Sequence, residues 1–96
     1  MQMNNMTMLS QNFVGNAESV LQKISLFLNE IKIKNTEKKD FHLVHALVFS
    51  KEMSESEVMK VSHDLGDLYR TRGFDVLGGD TSTGSELSIF ISTIVY

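Results

Sequence analysis

The sequence contains no cysteine. Disulfide staples, zinc–thiolate sites, iron–sulfur clusters and cysteine nucleophiles are therefore excluded. A basic surplus is missing too: Lys and Arg number 9 against 12 Asp and Glu, for a net charge of -3. Dedicated nucleic-acid binders normally carry the opposite balance, so no nucleic-acid partner is expected. Nowhere do about 18 apolar residues run uninterrupted, so no helix is expected to span a bilayer and no membrane partner is implied. The opening, Met1 to Ser10, lacks the basic n-region of a secretory signal, which points to a cytoplasmic chain. Internal repeats and low-complexity blocks are also missing.

What is present suits one small globular domain. The chain has 96 residues, 42% hydrophobic and 22% charged, and single domains typically run to about 100–150 residues. A chain this short buries only roughly 60–65% of its unfolded surface, so a partner surface would help to complete its core.

The first dozen residues, MQMNNMTMLSQN, carry four methionines and no charge. Met1, Met3, Met6 and Met8 follow neither a helical nor a strand period. Residues 1–15 are expected to form a flexible tail, with a lead-in strand as the alternative. From Asn16 to about Lys34 the pattern turns helical. Val20, Ile24, Phe27 and Ile31 recur at helical spacing, and Leu21 and Leu28 widen the stripe. Asn16 is placed to cap the first turn, while Glu18 and Lys32 and Lys34 suit the two poles of the helix. The charged stretch Asn35 to Asp40 reads as a solvated loop.

Phe41 to Phe49, FHLVHALVF, is an apolar run of strand length, expected to be covered on both faces. A second helix follows with a strong start signal. Ser54 and Glu57 have the spacing of a capping box, and Met53 and Val58 that of a hydrophobic staple. This helix would bury Val58, Val61, Leu65, Leu68 and Tyr69, and Gly73 would stop it in the left-handed conformation. Phe74 to Leu77 reads as a short strand, GGDTSTGS as a loop, and Leu87 to Tyr96 as a last strand with Leu87, Ile89 and Ile91 on one face. The expected fold is α/β, helix-strand-helix-strand-strand over residues 16–96. It has a three-stranded mixed sheet with two helices on one face, and its last two strands are antiparallel neighbours. The terminal strand would then be a long apolar edge, which must be covered or paired, so a homodimer through the sheet edge is expected.

Gly78-Gly79-Asp80-Thr81 carries the chemistry. Glycines at the exit of a strand let the backbone approach a ligand, and their amides can point at phosphate oxygens. Asp80 is a hard oxygen ligand of the kind that holds magnesium together with substrate phosphates. The same residues are ordinary in a tight hairpin connection, and spacing alone leaves both readings open.

The run from His45 to Val95, HALVFSKEM, a capped amphipathic helix, then RGFDVLGGDTSTGSELSIFISTIV, resembles the second half of the N-terminal ATP-binding domain of the thiamine-monophosphate kinase family. That family belongs to the aminoimidazole-ribonucleotide synthetase-like superfamily. The resemblance covers about half of the chain. It implies ATP-dependent phosphorylation of thiamine monophosphate to the diphosphate, with magnesium and ATP as cofactors. It also implies that Asp80 binds the metal, that Gly78 and Gly79 shape the phosphate loop, that Thr81 supports it, and that two such domains pair through their sheets. Several family features are missing. Ser82, Thr83 and Gly84 stand where an arginine often follows GGDT, and Ser50-Lys51 stands in place of the "LP" after the strand. Leu28-Asn29-Glu30-Ile31 matches the family's N-x-S-D sequence only loosely. No D-D-A motif precedes Asn16. The expectation is a truncated or degenerate member with little activity alone. The alternative is a non-catalytic dimerisation or interaction module that keeps the fold.

The histidines are expected to be solvated or hydrogen-bonded. His42 and His45 fall on opposite faces of one strand. Ser62, His63 and Asp64 are consecutive on a helix, where neighbouring side chains diverge, so they make no triad.

Overall fold

Both helices form where the sequence supplies a cap and an apolar stripe together. In the computed structural model, which describes residues 5–96, α1 spans Ala17–Lys34 and α2 spans Glu55–Arg72. The Asn16 side chain accepts the Ser19 amide at 2.9 Å, and Val20, Ile24, Phe27, Leu28 and Ile31 are buried. The α2 capping box is complete: the Glu57 amide donates to Ser54 Oγ, and the Ser54 amide donates to Glu57 Oε1 at 2.8 Å. Met53 and Val58 are each partly buried against the core. Gly73, at φ 76°, ends α2 in the left-handed conformation.

Four strands make the sheet: β1 (Thr7–Val14), β2 (Phe41–Ser50), β3 (Asp75–Gly84) and β4 (Ser88–Val95). Their order is β1-β4-β2-β3, with β2 and β3 parallel and the other two pairings antiparallel. The α/β class and the parallel crossover β2-α2-β3 are as expected, but three points of the topology differ. A fourth strand, β1, comes from the segment assigned to the tail; the readings that fell on Met1 and Met3 lie outside the described residues. β3 and β4 are not neighbours, because β2 lies between them. The apolar terminal strand β4 is interior, so the edges are β1 and β3, both rich in polar residues.

Alternation along the strands decides which face is buried. Phe41, Leu43, Leu47 and Phe49 of β2 and Ile89, Ile91, Thr93 and Val95 of β4 point to the helices and are buried. Phe13 joins them from β1, meeting Phe27 edge-on at 5.4 Å. Among the described residues no helix lies over the opposite face. Val44, Ala46, Val48 and Ile94 are half-buried there and Phe90 is 42% exposed. The expectation that β2 is covered on both faces therefore fails. Two helices on one side of four strands cover only that side.

Candidate functional site

The Gly-Gly-Asp-Thr segment is not a turn. All four residues lie inside β3, extended and paired with β2 from His45–Gly79 through Leu47–Thr81. Its facing depends on one irregularity. Leu43 pairs with Val76 but Val44 pairs with Gly78, so Leu77 is an extra residue bulged out of the ladder. Side chains alternate with a period of two, so a one-residue insertion reverses every side chain after it. Without the bulge Asp80 would pair with Leu47 and point into the helix-covered core. With it, Asp80 pairs with Ala46, which pairs in turn with Phe90, and all three share the open face.

The two glycines do different things. Neither has a positive φ. A Cβ on Gly78 would meet nothing within 4 Å, so bare backbone is left beside Asp80 on the open face. A Cβ on Gly79 would lie 2.2 Å from the His45 carbonyl oxygen and 2.5 Å from its Cδ2. Gly79 thus faces the helix side, in register with His45, and is glycine because His45 occupies the space. Thr81 shares that face, opposite Leu47.

His45 is held from α2. Its Nδ1 lies 2.8 Å from the Tyr69 hydroxyl, and Tyr69 is 2% exposed. Burial lowers the His45 pKa and raises that of Tyr69 well above the usual phenol value. With its proton on Nε2, the neutral ring accepts the Tyr69 hydroxyl at Nδ1. As expected, His42 falls on the other face, where it stacks on Tyr96 with ring centroids 5.5 Å apart.

Other ionisable groups pair with one another along the helices. His63, Asp64 and Asp67 bring ligand atoms within 4.8 Å of one another on the outer side of α2. Each carboxylate is already paired, Asp64 with Lys60 at 2.7 Å and Asp67 with Arg70. Glu30 pairs with Lys34 at 2.8 Å, and that bond lowers its pKa. Among the described residues no cluster of three metal-ligating groups includes Asp80 or Glu30. Five surface depressions of 330 to 440 Å³ are lined by residues other than Gly78 to Thr81. Asp80 stands on an open platform rather than in a cleft.

No protein-family model and no curated protein matches the sequence. Solved structures do match. Hydrogenase maturation protein HypE in complex with ATP superposes with a TM-score of 0.72 at 13% identity, covering 94% of this chain and 30% of HypE. Thiamine monophosphate kinase from Aquifex aeolicus gives 0.64 at 10% identity, covering 94% and 33%. A ThiL structure complexed with AMPPCP and TMP gives 0.64 at 10% identity, covering 94% and 31%. The chain has the fold of these proteins. The likeness read from GGDT and its flanks therefore holds at the level of fold, and it extends over α1, where the match was loose, and β1, which carried no such signal. The chain spans about a third of the length of the structures it matches. No helix of the described residues is long and apolar enough to cross a membrane.

The bulge and the His45–Tyr69 pair were missed at the sequence level. The bulge had no local signal. The pair had one, a histidine on the core parity of an apolar strand, which calls for a buried hydrogen-bond partner.

Proposed function

We propose that this chain is the nucleotide-binding unit of a magnesium-dependent phosphotransferase of the thiamine-monophosphate kinase type. In this reading Asp80 holds magnesium together with the nucleotide phosphates, and the bare backbone at Gly78 lets a phosphate come close. Gly79 and Thr81 fix the strand from the helix side. These residues fit a hard cation: Asp80 is an exposed carboxylate, and magnesium is commonly held by one or two carboxylates plus phosphates. The metal would neutralise phosphate charge, and the chain would supply its anchor and a flat surface.

The observation that carries this reading is that 94% of the chain superposes on proteins solved with ATP and with AMPPCP. Phosphoryl transfer needs several charged groups acting together. One carboxylate is too few, so turnover would require groups beyond these 96 residues. The chain alone is expected to bind magnesium–ATP without transferring phosphate to thiamine monophosphate.

A thermal-shift series tests this. Ligand at about 100 times its dissociation constant adds roughly 2.7 kcal/mol of stability. ATP should raise the Tm only with magnesium present, and Asp80→Ala should abolish the rise. A rise independent of both metal and Asp80 contradicts the proposal, as does robust phosphate transfer by the purified chain.

A specific observation favours a second reading, a non-catalytic pairing module. Val44, Ala46, Val48, Phe90 and Ile94 form an apolar face with no helix over it. A second copy laid on that face would form a homodimer and bring Asp80 to the margin of the interface. A stable dimer with no response to nucleotide would select this reading.

A further inference from the structure

Strand β3 is weakly tied to the rest of the fold. It is an edge strand with β2 as its one neighbour, and nine of its ten residues are exposed. Its side chains therefore add little to the core. Besides the ladder to β2, it is fixed at its start by the buried Phe74 and at its end by the Lys51 amide, which donates to the Gly84 carbonyl at 3.0 Å. In between, it rests on the imidazole of His45, which lies against Gly79.

We propose that His45 is a proton-sensitive latch for β3: its neutral ring, held by Tyr69, seats Gly79 against β2, and protonation of the ring releases the edge strand that carries Asp80.

The groups around His45 leave a charged ring no compensation. From α2 the ionisable group that faces it is Tyr69, which keeps its proton and acts as a donor. β3 presents Gly79 and β4 presents Ile91 in register with it, neither ionisable. Its core-facing neighbours on β2 are Leu43 and Leu47. Burial alone, with no charged neighbour contributing, holds its pKa below the value in water. When Nδ1 gains a proton it can no longer accept from Tyr69, so two donors face each other and the charge stands unpaired on a half-buried ring. The ring is then driven out to solvent, and Gly79 loses the surface it rests on. Nucleotide is not part of the device, so it stands whether or not nucleotide binds.

Amide hydrogen exchange across β3, corrected for intrinsic rates, tests the latch between pH 7.5 and 5. Protection of the Gly79 to Thr83 amides should fall about tenfold for each unit by which burial holds the His45 pKa down. The fall should begin near pH 6.5 and level off at the pH where NMR shows the His45 ring to titrate, while α1 amides stay unchanged. His45→Gln keeps an acceptor for Tyr69 without titrating, so it should make β3 protection flat with pH. Tyr69→Phe removes the bond that holds the ring and should lower β3 protection already at pH 7.5, where the ring is neutral. Flat β3 protection in the unmodified chain overturns the proposal. So does a fall that continues unchanged below the ring titration, a result that needs no variant to fold. The same fall in His45→Gln also overturns it.

Discussion

Replacing Gly79 by alanine should cost far more than making the same change at Gly78, although the two residues are neighbours in one strand. At Gly79 the new methyl would lie 2.2 Å from the His45 carbonyl oxygen. That atom belongs to a backbone held in the β2 ladder, and the imidazole behind it is tied to Tyr69 at 2.8 Å. Neither can yield without breaking a hydrogen bond. Overpacking typically costs about 1–3 kcal/mol, and this rigid site belongs at the upper end. For a domain of this size each kcal/mol lowers the Tm by about 4–8 °C, so a fall of roughly 12–24 °C is expected. At Gly78 the methyl meets nothing within 4 Å and the backbone is not left-handed. Gly78→Ala should leave stability unchanged or raise it by about 0.4–1 kcal/mol, because it restricts the unfolded chain. Thermal and urea unfolding of the two variants, run side by side, measure the difference. Equal stability, or a more stable Gly79→Ala, would refute the assigned bulge and facing of β3.

Further outcomes follow from the caps and the buried pair. Ser54→Ala removes the hydroxyl that accepts the Glu57 amide, one arm of the α2 capping box, and should cost about 1 kcal/mol in urea unfolding. Gly73→Ala forces a side chain onto φ 76°, with Lys32 Nζ 3.1 Å from the new methyl. It should destabilise by about 1 kcal/mol, against no loss at the exposed Met59→Ala. Because the His45 pKa is lowered on folding from its model-compound value of 6.5, the unfolded chain takes up the proton first. Stability should therefore hold above about pH 6.5 and decline as the pH falls towards the folded-state value, a slope that His45→Gln removes.

The elements legible in the sequence were those whose signals are local. Asn16, the Ser54–Glu57 box and Gly73 mark helix ends through contacts within a few residues, and the stripes of α1 and α2 each repeat several times. The strands depend on distant partners. β1 showed no alternation because only Phe13 of its eight residues is buried. β3 resembled a loop because a strand exposed on both faces selects no apolar pattern, so glycine, serine and threonine fill it. Strand order was hidden for a different reason: nothing local distinguishes a β4 that pairs with β3 from one inserted between β1 and β2. At the site the residues were legible but their facing was not. Asp80 points to the open face because Leu77 is bulged, and no residue type announces that bulge.

The most direct measurement is a calorimetric titration of the chain with magnesium–AMPPCP, repeated without magnesium and with Asp80→Asn. The account predicts saturable binding that requires the metal and is lost when the carboxylate becomes an amide of the same shape. Absence of binding at millimolar nucleotide, or equal binding by Asp80→Asn, would contradict the assignment of β3 as the strand that holds a metal-bound polyphosphate.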